Sequence, residues 1–113
     1  MAQWEFVEWL LFWILETSSF NFQWDEGNRT KSASKHKITI SEVEEVFRSG
    51  LALPLGIQIS PPADEQRLGI VGKVLQIAFT MREGSVRAIS ARPASRKERE
   101  TYEKILRKIK KRV

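Results

Sequence analysis

The sequence predicts an α+β domain built on an antiparallel sheet, with two short helices after the first strand, a C-terminal helix and an extra apolar helix at the N-terminal end. Three observations carry this. Alternation of period two begins at Phe20. Four apolar stretches over residues 51–59, 67–72, 74–81 and 85–91 are separated by joins too short for anything but antiparallel neighbours. Two Ser-x-x-Glu sequences stand in front of helical spacing.

The opening segment, residues 4–15, reads WEFVEWLLFWIL and is the one stretch that looks like a membrane or export signal. It fails on length. A spanning helix needs about 20 apolar residues, whereas the unbroken apolar run covers only 9–15, with Glu5 and Glu8 ahead of it and no basic flank. The reading is a buried or partner-covered helix without stable membrane insertion, because an apolar patch of this size requires cover. This divides the chain into an apolar helical extension, 1–19, and a main domain, 20–113.

Phe20, Phe22 and Trp24 alternate with Asn21, Gln23 and Asp25, as in a half-buried strand. Asp25 is a good N-cap, and the polar run 26–36 contains one early Gly and no Pro, so a short, largely solvated helix follows. Ser41 and Glu44 form a capping box before Val43, Val46 and Phe47, and Gly50 ends that second helix. The meander is joined at 61–64, Gly72-Lys73 and Arg82-Glu83-Gly84. Pro93 stops the last strand, and Ser95 with Glu98 starts a helix to about Lys111, whose stripe is Tyr102, Ile105, Leu106 and Ile109.

A chain of 113 residues builds one small core. Its 19 Lys and Arg against 14 acids give a net charge of +5, which favours polyanionic partners and nucleic acid first. The cations cluster at 29–37, which holds no acid, and at 92–112. The absence of cysteine excludes disulfides, thiolate metal sites and a thiol nucleophile, and is compatible with a reducing interior such as the bacterial cytoplasm. With His36 the sole histidine, a histidine metal site is not expected either.

Several blocks resemble the BrnT family of toxins: Phe22-x-Trp24-Asp25 with Lys35-His36 and Ile38 downstream; Glu65-Gln66-Arg67 ahead of Ile70-x-Gly72; Phe79-Thr80-x-Arg82; and Arg87-x-Ile89-Ser90-Ala91-Arg92-x-Ala94-Ser95-Arg96-x-Glu98-Arg99 with Tyr102. They span about 20–103. The chain departs from the pattern at Lys37, where the family usually has glycine, and at Ser32, where it usually has asparagine. The resemblance implies a RelE-like fold, a ribonuclease toxin of a type II toxin–antitoxin system that arrests growth, and a cognate ribbon-helix-helix antitoxin of the BrnA kind. It implies a dimer or a toxin–antitoxin heterotetramer as the assembly.

A metal-free ribonuclease needs a proton acceptor for the 2′-hydroxyl, cations for the phosphorane charge and an acid for the leaving 5′-oxygen, and no cofactor is expected. Arginine suits the charge because its planar fork binds phosphate oxygens and keeps its proton. The expected scissile-phosphate cluster is Arg92, Lys73 and Arg96, at the open end of the last hairpin, with His36 as acid. Arg92, His36 and Lys73 are the catalytic candidates, and Lys35, Arg67, Arg82, Arg87 and Arg96 the RNA-binding ones. Arg82 and Arg92 stand about 20 to 25 Å apart along a regular hairpin and cannot share one phosphate. His36 is either this acid or a cap on the last helical carbonyls. Asn28, Ser32 and Lys35 share a helix face that either tracks an RNA backbone or is simply solvated. Glu98 fits a capping-box acid better than a general base. The rival classes are a non-catalytic interaction or RNA-binding module, and a membrane-surface or dimerisation element centred on the N-terminal helix.

Overall fold

The computed structural model describes residues 3–16, 20–29, 36–49, 51–62, 65–72 and 74–111. Five strands form one antiparallel sheet in the order β1-β2-β3-β4-β5: β1 (Gln3–Glu5), β2 (Leu53–Ser60), β3 (Leu68–Val71), β4 (Leu75–Arg82) and β5 (Ser85–Pro93). Four helices accompany them among the described residues: α1 (Glu8–Glu16), α2 (Glu26–Arg29), α3 (Ile40–Arg48) and α4 (Arg96–Lys111). The α+β class and the meander of the sequence reading are present. The β4–β5 hairpin closes through Glu83 and Gly84, both at positive φ (52° and 78°), as a two-residue turn matched to strand twist requires.

Pleating gives the sheet two different faces. On one, Ile70 of β3, Ile77 and Phe79 of β4 and Val86 of β5 meet Leu10 and Ile14 of α1 and Val43 and Phe47 of α3 in the main core. Aromatic rings knit it: Phe47 lies 5.1 Å from Phe79 and 5.5 Å from both Phe20 and Phe22. The other face carries Thr80 and Arg87 opposite each other at one end. At its far end Val71 joins Ala94 and Tyr102, against Leu53, Leu55 and Leu106, so α4 packs there and leaves the Thr80 end open.

Three expectations are corrected. The helix expected over 4–15 starts at Glu8, because Gln3–Glu5 pairs with β2 as an outer strand, which supplies the edge of β2 with hydrogen-bond partners. The approach is close. Gly56 has φ +119°, and a Cβ there would lie 1.9 Å from the Glu5 carbonyl oxygen, so only glycine fits. The Trp4 ring rests on Gly69 of β3.

The strand expected over 20–24 shrinks to a single parallel bridge, Phe22 to Val86, with Gln23 N donating to Val86 O and Val86 N to Asn21 O, both at 2.8 Å. Asp25 then caps α2 and turns the chain away from β5.

The second helix is capped by Thr39 and Glu42 instead of Ser41 and Glu44: Glu42 N donates to Thr39 Oγ1 and Thr39 N to Glu42 Oε1, each at 3.1 Å. Glu44 is diverted to Trp24 Nε1 (2.8 Å) and Arg48 Nη1 (2.9 Å). Thr39→Ala is expected to lower stability by about 1 kcal/mol, and Ser41→Ala by less than about 0.5 kcal/mol, as at an ordinary surface position; urea denaturation of the two variants reads the difference. Gly50, the expected terminator, lies outside the described residues. The capping box at Ser95 and Glu98 is present, with Glu98 N donating to Ser95 Oγ (3.1 Å) and Ser95 N to Glu98 Oε1 (2.8 Å).

Candidate active site

At the open end of the second sheet face, β4, β5, α2 and the segment before β3 enclose a cleft of about 310 Å³, lined by Arg67, Arg82 and Arg87 with Glu65, Thr80 and Asn28. Antiparallel pairing explains the gathering. Thr80 and Arg87 are register partners, Arg82 lies two residues beyond Thr80 on the same side, and Thr80 Oγ1 donates to Gln66 O at 2.8 Å, which holds the segment carrying Glu65 and Arg67 beside β4.

The three guanidiniums are not equivalent. Arg87 is clamped by Asp25, with Nη1 to Oδ2 at 2.6 Å and Nη2 to Oδ1 at 3.1 Å. Its side chain is only 15% exposed, so the fork is held in one place. The bond from Arg87, with the α2 cap donors Asn28 N and Gly27 N, holds the Asp25 carboxyl down at about 2 against partial desolvation. Arg82 is held likewise by Glu65, Nε to Oε1 at 2.9 Å and Nη2 to Oε2 at 2.7 Å, and that bond keeps the Glu65 carboxyl below its ordinary value. Both acids are therefore ionised at neutral pH. Arg67 is half-buried and makes no side-chain hydrogen bond or ion pair among the described residues. A guanidinium withdrawn from bulk water yet without an acid is ready for an anion.

Asn28 has a different task from the one expected of it. It is buried, its Nδ2 donates to Gln23 O and Ala88 O at 3.0 Å each, and its Oδ1 accepts from Asp25 N at 2.8 Å. The amide fastens α2 to β5, so Asn28 belongs to the wall of the cleft and not to a solvated helix face.

The other expected site residues fall as follows. Arg67, Arg82 and Arg87 come together. Arg92 pairs with Gln76, six residues before Arg82 on β4, so the two ends lie about 20 Å apart. Its guanidinium grips Glu98, Nη1 to Oε1 at 2.9 Å and Nη2 to Oε2 at 3.0 Å, and Nη1 also donates to Pro93 O at 3.0 Å. Burial pushes the Glu98 carboxyl up, but the bonds from Arg92 and Ser95 outweigh it and leave it below its ordinary value. Glu98 thus serves α4 as a cap, tied to β5. Arg96 is 87% exposed and pairs with Glu100. His36 is half-buried, two residues before Ile38, which lines a narrow slot with Asn28, Ala88 and Ile89, residues that also border the cleft. Lys35, Ser32 and Lys73 lie outside the described residues. Lys37 has φ 57°, the left-handed region that glycine enters without strain, which accounts for a glycine at that point of the family pattern.

Sequence reasoning did not assign Asp25 and Glu65 to the site. Both stand in the blocks that resemble the family, but sequence alone assigns Asp25 no role beyond a cap, and Glu65 stands 17 residues from its arginine, a separation that carries no local signal.

No helix among the described residues is long and apolar enough to cross a membrane. Among curated proteins no relative matches the chain. A family description does match: residues 24–98 fit the one for "Ribonuclease toxin, BrnT, of type II toxin-antitoxin system", a span that includes every residue of the cleft. The matched span covers most of the chain, and the protein belongs to the BrnT family of ribonuclease toxins of type II toxin–antitoxin systems, which implies an antitoxin partner.

Proposed function

We propose that this chain is a metal-independent endoribonuclease that cuts cellular RNA at the Arg67–Arg82–Arg87 cleft and thereby arrests growth in the bacterial cytoplasm. The observation that carries this is the convergence of three guanidiniums on one open cleft, one of them, Arg67, half-buried without an acid among the described residues. Such a cleft concentrates positive potential where a phosphodiester gains negative charge in the transition state. With Arg87 and Arg82 paired to Asp25 and Glu65, Arg67 carries the uncompensated charge and is assigned the charge stabilisation that a metal provides elsewhere. An antiparallel sheet with α1 and α3 on one face and α4 on one end of the other, leaving a cationic end open, also supports a RelE-like reading of the fold.

In the proposed reaction the ribose 2′-oxygen attacks phosphorus in line, the bond to the 5′-oxygen breaks, and a 2′,3′-cyclic phosphate and a free 5′-hydroxyl result. Arg67 holds a non-bridging oxygen, while Arg87 and Arg82, fixed by Asp25 and Glu65, hold the flanking phosphates. Both cleft carboxylates are committed to Arg87 and Arg82, so the 2′-hydroxyl proton passes to solvent at the open mouth of the cleft. His36, two residues before Ile38 of the adjoining slot, is assigned the proton for the leaving oxygen, the slot and the cleft having Asn28, Ala88 and Ile89 in common. Arg92 is assigned to holding β5 to α4. The partner that silences the activity is a ribbon-helix-helix antitoxin.

Incubating the purified chain with RNA in excess chelator tests the proposal. Fragments ending in 2′,3′-cyclic phosphate are expected at an undiminished rate. Products with 3′-hydroxyl ends, or activity that returns only with added magnesium, would overturn the metal-independent reading. Intact RNA, with retained RNA binding, would favour the non-catalytic module.

A further inference from the structure

A larger recess, about 740 Å³, lies away from the arginine cleft, between α3 and α4. Its floor is apolar: Val46 of α3, Leu75 at the start of β4, and Tyr102 and Leu106 of α4. At one end Leu51 and Val74 are 49% and 56% exposed, a high value for aliphatic side chains beside an open groove. Its rims are acidic. Glu42 and Glu45 line the α3 side and Glu103 the α4 side, against Arg107 as the single cation among the described residues. Arg107 approaches Glu103 only to 3.9 Å, and Glu45 is exposed without an ion-pair partner among the described residues.

In a chain of net charge +5 this is a local reversal of sign. It turns RNA away from the recess and draws in a partner that is apolar and basic. A trough between two helices, apolar at the bottom and charged along both lips, suits a helix that carries apolar residues on one side and Lys or Arg beside them. We propose that this groove is the docking site for an amphipathic, basic helix of the cognate antitoxin. The partner's identity rests on the family membership; the groove itself does not depend on the ribonuclease reading.

The test measures binding of the purified cognate antitoxin to the full chain by calorimetry, alongside RNA cleavage by the free chain. Leu106→Glu combined with Val74→Glu places charge in the apolar floor and at the exposed apolar end, and is expected to weaken binding at least about 30-fold. Glu45→Lys combined with Glu103→Lys, two exposed positions that leave the core untouched, is expected to weaken it as well and to flatten its salt dependence. Cleavage by both variants should match the parent, since none of these residues lines the arginine cleft. Parent-like antitoxin affinity in the charge-reversed variant overturns the proposal. So does loss of binding caused instead by Trp9→Asp on α1, or a change in the mass of the free chain showing that a second copy fills the groove. Weakened binding in a chain that never cuts RNA would uphold the groove and sink the nuclease reading; cleavage with unaltered binding does the reverse.

Discussion

Arg67→Ala should slow RNA cleavage by about 10²- to 10³-fold, the usual effect of removing one preorganised donor from a developing oxyanion. Folding should be unchanged, because among the described residues this guanidinium makes no hydrogen bond or ion pair that the substitution would break. Arg67→Lys keeps a charge but loses the planar fork, so only part of the rate should return. Arg87→Ala is expected to behave differently: it lowers the rate and also destabilises the fold, because it deprives Asp25 of its partner and removes a largely buried side-chain stem from between α2 and β5. Single-turnover cleavage of a defined RNA and urea denaturation separate the two behaviours. Should Arg67→Ala cut like the parent while Arg92→Ala is inert, the scissile phosphate would belong at the α4 end of the sheet, the place the sequence reading first chose.

Phe47→Ala should cost about 3–5 kcal/mol. Phe47 is 1% exposed, and its ring contacts Phe20, Phe22 and Phe79, so its loss opens a void at the point where α3, the bridge segment and β4 meet. Against the 5–15 kcal/mol typical of a small domain, that is a large fraction of the whole. The melting temperature should fall by roughly 10–20 °C. Phe47→Leu, which keeps most of the volume, should be much milder. A Phe47→Ala chain melting within a few degrees of the parent would show that the aromatic cluster is not the mechanical centre of the fold.

The meander was legible because its signals are local. Turn residues at Glu83-Gly84 and the capping box at Ser95 and Glu98 each act over a few positions, and both are present, while Ala63, Asp64 and Lys73 of the other expected joins lie outside the described residues. What escaped depends on neighbours distant in sequence. Thr39 and Ser41 both satisfy the capping pattern, and the choice falls to Thr39 while the Trp24 indole, 20 residues away, occupies Glu44. β1 hides inside an apolar run because nothing in Gln3–Glu5 announces that β2 lies alongside.

The site shows the same division. Arginine as the working residue type followed from chemistry. Which arginine is clamped and which is free followed from acids at separations of 62 residues for Asp25 and Arg87 and 17 for Glu65 and Arg82. The regular-hairpin geometry points to Arg92 at the open end beside Lys73, yet Glu98, six residues on, already holds it.

The outermost strand has a consequence for solubility. At three residues, with Glu5 at its end and an irregular register between Gln3 and Trp4, β1 is too short and too kinked to template a second sheet. The eight-residue β2 behind it, with Ile57 and Ile59 in its run, is long enough to do so. A chain shorn of its first seven residues would lay bare the edge of β2 from Ile57 to Ser60, beyond the Pro54–Gly56 irregularity, and would be expected to associate edge to edge, read as a rise in mass by light scattering.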